Sequence, residues 1–305
     1  MSGHFTLLKR LNDGAPSFEF IREEIRKMDA GVRGEDRLVE RLRELRLHGK
    51  FRVFSDVCLE LDDWKVQIDC LLVTDRCCIV LESKNISGRL YFNEELDEFY
   101  KDENGTETPI SNPYFQLMRN IRFMKELLRK THPQMKVTGA VIMTAKSCRI
   151  MKKPTHYPIY KLESMVERVT QIYNSSGVVG FSGEQLDVIQ KLLLENRSTF
   201  EYPPLCEYYR INASEIRPGV ECPGCGVLGM RRVYTTWHCL ACGKNDRYAH
   251  ISAVRDYFRL IDKKITSKEF RRFCMIDSKY SASRMLNSMD LIAYGSGPSR
   301  YFVEK

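Results

Sequence analysis

The chain has 305 residues, 43% of them apolar, with 48 Lys and Arg against 40 Asp and Glu, and eleven cysteines. That leaves room for two or three domains, each with its own core. No run of about 18 apolar residues is present to span a membrane, and no apolar stretch of signal-peptide length opens the chain. The expectation is a cytoplasmic protein with no membrane partner, whose cysteines are reduced thiols or metal ligands rather than a disulfide framework.

The basic excess is uneven: residues 206–305 hold 17 Lys and Arg against 10 Asp and Glu, and the remaining 205 residues hold 31 against 30. A polyanion such as nucleic acid is the natural partner of that last third, although charge alone fits a solubility face equally well. Phe18, Ile21, Ile25 and Met28 recur at helical spacing and predict an amphipathic helix over 17–29, packed on the first domain. Gly31 and Gly34 break the pattern before a second helix with Leu38, Leu42 and Leu45 as its buried stripe. Glu35 falls in its first turn, where the helix dipole alone favours an acid.

Phe51–Leu61 reads as a strand, and Val66–Val73 with Cys77–Asn85 as a β-hairpin turning at Asp75-Arg76. Alternation puts Glu82 and Lys84 on one face. If the register sets Asp69 opposite Glu82, two carboxylates and an ammonium group share one patch of sheet. Oxygen ligands of that kind suit Mg²⁺ or Mn²⁺. The alternative is a plain salt bridge of Lys84 with one of the acids. Short strands follow around 89–93 and 98–101. Pro113 then opens a helix with Leu117, Ile121, Met124 and Leu128 facing the core and Gln116 beside them. A buried strand is expected over 137–144, a short strand and helix after 154–160, and a helix capped by Ser182 and Gln185. Pro203-Pro204 marks the expected domain boundary.

Gly34-Glu35, Ile68-Asp69, Glu82-Ser83-Lys84-Asn85 and Asn112-Pro113-Tyr114-Phe115-Gln116 occur in that order, and the chain over roughly residues 10 to 200 resembles the nuclease-related domain, NERD. Cys70 stands where that family commonly has a histidine. The family is regarded as a branch of the PD-(D/E)xK nucleases, which implies a restriction-endonuclease-like mixed sheet flanked by helices. The resemblance implies a metal-bearing site in which Asp69 and Glu82 hold Mg²⁺ or Mn²⁺, aided by the Ser83 carbonyl. Lys84 would position the attacking water, and Glu35 and Gln116 would complete the site.

Cys222, Cys225, Cys239 and Cys242 form two C-x-x-C knuckles, each followed by a glycine, a spacing that places four thiolates around one structural Zn²⁺. Arg231, Arg232, Tyr234 and Trp237 on the hairpin between them are candidates for phosphate contact or stacking, with Trp237 equally suited to the core. Residues 251–261, a segment capped by Thr266 and Glu269, and residues 278–289 predict three helices, followed by a hairpin from 291 to 303. This pattern resembles a winged helix-turn-helix. Ala282, Met285, Leu286 and Met289 would be buried, while Lys279, Ser283, Arg284 and Asn287 on the other face, and Arg300 in the wing, would meet DNA.

The expected division is therefore an α/β nuclease-related domain over 1–204, a zinc ribbon over 205–249 and a winged helix over 250–305. The expected function is a Mg²⁺-dependent deoxyribonuclease. The alternative is a DNA-binding regulator or scaffold with an idle nuclease-like domain. RNA as substrate, and a homo-oligomer, stay open.

Overall fold

A computed structural model of the chain describes residues 2–12, 14–103, 105–152, 154–177 and 180–305. It divides into two compact units, Met28–Phe200 and a second formed by the residues up to Lys27 together with Glu201–Lys305. Among the described residues, no helix is long and apolar enough to cross a membrane.

Helices α1 (Ser2–Arg10) and α2 (Pro16–Leu42) open the chain. The break expected at Gly31 and Gly34 does not occur, since α2 runs through both. A glycine costs a helix only about 1 kcal/mol relative to alanine, and at position 34 a side chain has no room. A Cβ there would stand 2.6 Å from Thr144 Oγ1 and 2.9 Å from Asn85 Cβ. Glu35 consequently lies inside a long helix, not in a first turn, and the helix-dipole explanation for it falls away.

The Met28–Phe200 unit continues with β1 (Phe51–Leu61), β2 (Trp64–Thr74), β3 (Cys77–Lys84), β4 (Gly88–Asn93), β5 (Glu98–Glu103), β6 (Thr106–Pro109) and α3 (Pro113–Leu128). After these come β7 (Lys136–Met143), β8 (Cys148–Lys152), β9 (Ile159–Lys161), α4 (Met165–Asn174) and α5 (Gly183–Glu195). Its main sheet has the order β1-β2-β3-β7-β9, antiparallel from β1 to β3 and parallel from β3 to β9. The Thr74 hydroxyl closes the β2–β3 turn, accepting from the Cys77 amide at 2.9 Å. As a crossover, α3 joins the parallel pair β3 and β7, with Leu117, Ile121, Met124 and Leu128 all buried. Its start is fixed by Pro113 and by Asn112, whose side chain accepts from the Tyr114 amide at 3.1 Å. Each face of the sheet has its own core: α3 and α5 cover one, and α4 with the end of α2 cover the other.

The second unit adds α6 (Leu205–Tyr209), β10 (Val220–Glu221), β11 (Leu228–Val233), β12 (Thr236–His238), β13 (Asn245–Asp246) and α7 (His250–Leu260). The chain closes with β14 (Lys264–Thr266), α8 (Ser267–Cys274), α9 (Lys279–Asn287), β15 (Leu291–Tyr294) and β16 (Tyr301–Glu304). The cysteine segment forms the sheet β10-β11-β12-β13, and β14-β16-β15 forms the wing. The capping boxes expected at Ser182 and Thr266 both form.

The division differs from the three segments expected. Ribbon and winged-helix residues share one core, with Trp237, Phe270 and Phe302 in it, and Leu7, Ile21 and Ile25 from the first helices, with Leu11 from the segment between them, complete that core. A buried ion pair pins the same arrangement. Arg10, 1% exposed, donates from Nε and Nη2 to Asp256 Oδ2 at 2.9 and 2.8 Å and lies over the Phe273 ring. The stripe Phe18, Ile21, Ile25 thus serves the carboxy-terminal unit rather than Met28–Phe200.

Candidate active site and cysteine cluster

Two neighbouring strands and the later helix α3 bring Glu82, Lys84 and Gln116 into contact and set Asp69 on the adjoining strand. Cys70 pairs with Leu81 across β2 and β3, so the next position along that register sets Asp69 beside Glu82. Asp69 Oδ2 accepts from the Ser83 amide at 2.7 Å. Lys84 Nζ donates to Glu82 Oε1 at 2.7 Å and to Gln116 Oε1 at 2.9 Å, and Gln116 is carried there by the first turn of α3. Glu82 has no exposed surface, and its Oε2 has no partner. Glu35 joins the group through charge, not through a hydrogen bond: one residue beyond Gly34 on α2, it feels Asp69 and Lys84.

The electrostatics follow from crowding acids in a poorly solvated place. Burial, then the Asp69 charge, pushes Glu82 up to about 8. Burial, then Asp69, pushes Glu35 up to about 7. Burial also raises Asp69, opposed by the Ser83 N–H and the Lys84 ammonium.

Two further residues frame this group: Asp56, which carries no sequence signal of its own, and Asn85, the last residue of the Glu82-Ser83-Lys84-Asn85 motif. Asp56 lies on β1 between the pairs Ser55–Cys70 and Val57–Ile68, opposite Asp69, with φ of 48° in the left-handed region. It is exposed, accepts from Gln67 Nε2 at 2.8 Å, and its charge raises both Asp69 and Glu35. The side-chain parity of β2 changes at the same point. Val66 and Ile68 share a core with Leu71 and Val73, whereas Cys70 and Leu72 face the other core. Asn85 fastens α2 to the end of β3, donating to the Ala30 carbonyl and accepting from Arg37 Nη2 at 2.6 Å.

In the second unit the four cysteines converge, their Sγ atoms all within 4.8 Å of one another, as a metal cluster requires. Among the described residues they are the one such set of three or more potential ligands; the carboxylates of Glu35, Asp69 and Glu82 are spread more widely. The two knuckles repeat one geometry. Gly226 N–H donates to the Cys222 carbonyl and Gly243 N–H to the Cys239 carbonyl, both at 2.9 Å, and both glycines have positive φ, 72° and 74°. The amides of Cys225 and Gly224 hold the Cys222 thiol down to about 6. His238, next to Cys239, is outside that set, and its Nδ1 pairs with Asn245 Oδ1 at 3.0 Å. Trp237 is core: it has no exposed surface and donates from Nε1 to His250 Nδ1 at 3.1 Å.

The expected nucleic-acid residues lie on this unit's surface. Lys279, Arg284 and Asn287 are exposed and Ser283 half-buried on α9, whose Ala282, Met285 and Leu286 are buried. Arg231 and Arg232 lie on β11, and Arg300 rests over the Phe302 ring. The fully exposed Tyr234 turns the β11–β12 hairpin at φ of 51°.

A mixed sheet thus carries two acids and a lysine at one end and helices on both faces. Residues 30–144 match the family model of the nuclease-related domain, NERD. All five of Glu35, Asp69, Glu82, Lys84 and Gln116 fall inside that stretch. No curated protein and no solved structure matches the chain.

Proposed function

We propose that the chain is a metal-dependent nuclease that hydrolyses DNA phosphodiester bonds at the β2–β3 edge, with the ribbon and winged-helix segments binding the nucleic acid. The observation that carries this reading is the group in which Lys84 bonds Glu82 and Gln116 and Asp69 bonds the Ser83 amide beside them, with Glu82 Oε2 buried and unpartnered. A buried carboxylate oxygen without a partner is costly, and a divalent cation removes that cost. The all-oxygen donor set suits Mg²⁺ or Mn²⁺, which keep several waters beside one or two carboxylates. Asp69 and Glu82 would hold the ion. Mg²⁺, when bound, lowers the pKa of a coordinated water and neutralises charge on the phosphate. Lys84, oriented by Gln116, positions the attacking water, and Glu35 can take up or give back a proton near neutrality.

The cysteine cluster fits Zn²⁺ as a closed structural site, since four thiolates leave no position open for substrate. The division of labour is testable by measuring DNA affinity and DNA cleavage in parallel for Asp69→Ala and Lys84→Ala. Each variant should lose cleavage while binding DNA nearly as the wild type does. Equal loss of both activities would count against it, and tight binding without any wild-type cleavage would favour a regulator with an idle site.

A further inference from the structure

Between β11 and the corner formed by α8 and α9 runs a groove of about 1110 Å³. Arg231 and Arg232 line it from β11, and Lys268, Arg271 and Arg272 line it from α8; Asp277 is the only acid among the described lining residues. None of these five cations forms an ion pair with a carboxylate among the described residues. Two are held in place by other means. Arg271 donates to the carbonyls of Asp277 and Ile276, at 2.8 and 3.3 Å. Arg232 lies over the Trp237 ring, 5.5 Å from its centroid, with Nη1 buried and unpartnered. Arg247 and Arg284 press on that same guanidinium with like charge, so an anion entering here relieves repulsion as well as gaining attraction. Leu240 and Met275, 63% and 64% exposed, add apolar surface to the lining.

We infer that this groove binds a single nucleic-acid strand, with phosphates against the cations of β11 and α8 and bases against Leu240 and Met275. The inference rests on nucleic acid being the substrate of the β2–β3 site. Charge selects a polyanion, and shape selects its form. A duplex is read by a helix or ribbon that projects into its major groove, about 12 Å wide, and a cleft of this volume cannot enclose it. A strand fits: a basic groove can track its backbone, and the exposed apolar side chains of Leu240 and Met275 give its unpaired bases a contact surface in place of an aromatic stacking platform. The substrate therefore carries an unpaired segment.

The test uses the full zinc-loaded chain and fluorescence anisotropy with a labelled oligodeoxythymidine strand, an oligouridine strand and a blunt DNA duplex. The wild type should prefer the strands to the duplex by about tenfold or more. Arg231→Glu with Arg272→Glu should weaken strand binding by about tenfold or more and flatten its salt dependence by about two charges. Lys191→Glu, in the other unit, should change neither. Zinc content and Trp237 fluorescence show that the variant is folded, and Arg231→Ala with Arg272→Ala serves if it is not. A variant with wild-type strand affinity and salt slope, or a wild type that prefers the duplex, overturns the inference. Metal-dependent cleavage by the same preparations separates the two readings. Unchanged variants of a cutting enzyme remove the groove alone, and lost strand binding in a protein that never cuts removes the nuclease alone.

Discussion

Glu82 and Glu35 are set above their ordinary 4.5, at about 8 and about 7, by burial and by Asp69. Both gain protons on folding when no cation is present, so the stability they contribute is complete below 4.5 and lost as pH rises through the folded values. The melting temperature of cation-free protein should therefore fall between about pH 5 and pH 8. Glu82→Gln should remove much of that slope and raise the melting temperature at the alkaline end; an unchanged slope in thermal melts would contradict the assignment. His250 has the opposite sign. Burial and then Arg232 lower it from 6.5 to about 4, so the unfolded chain takes the proton first and the carboxy-terminal unit should lose stability as pH falls through that interval. Acid-induced loss of Trp237 burial, read by fluorescence, checks it. That Glu82 and Lys84 share a face was legible because strand alternation fixes it, whereas the place of Asp69 depended on the register between two strands. Asp56 was not legible: an aspartate on a half-exposed strand reads as solvated, and what sets it apart is a positive φ, which belongs to the folded backbone.

Among the elements, the β2–β3 hairpin was the most legible, since β-branched runs on either side of a two-residue turn mark both strands; its register, left open by the sequence, is set by the pairs Val73–Cys78 to Cys70–Leu81. The Gly31–Gly34 break was misread because propensity is local, whereas the reason for Gly34 is the approach of α2 to Thr144 and Asn85. Gly34→Ala should cost about 1–3 kcal/mol by overpacking and should lower cleavage further by displacing Glu35, measured by denaturant unfolding and by turnover. A variant as stable and active as the wild type would show that the contact relaxes freely. The strand β14, three residues long, also escaped the sequence, because its partner β16 lies far along the chain and only tertiary pairing defines it.

At the scale of the whole molecule, two prolines mark the change of unit near residue 200, but nothing local says that α1 and the start of α2 pack into the core of Glu201–Lys305. Arg10 reads as one more surface cation until Asp256, far away in sequence, is placed against it. Cys222 and Cys239 belong to that same core beside Trp237. Stripping zinc with a chelator should therefore unfold this unit, exposing Trp237 to quencher, while Met28–Phe200, with its separate cores, keeps its sheet. The central claim is that Asp69, Glu82, Lys84, Gln116 and Glu35 form one metal-dependent phosphodiester-cleaving site. Its most direct test is incubation of the purified chain with supercoiled, linear and single-stranded DNA in Mg²⁺ or Mn²⁺, beside a chelator control and Lys84→Ala. The prediction is cutting that requires the divalent cation and vanishes in Lys84→Ala. Cutting that survives the lysine substitution or the chelator, or a wild type that binds DNA and leaves every form intact, would contradict it.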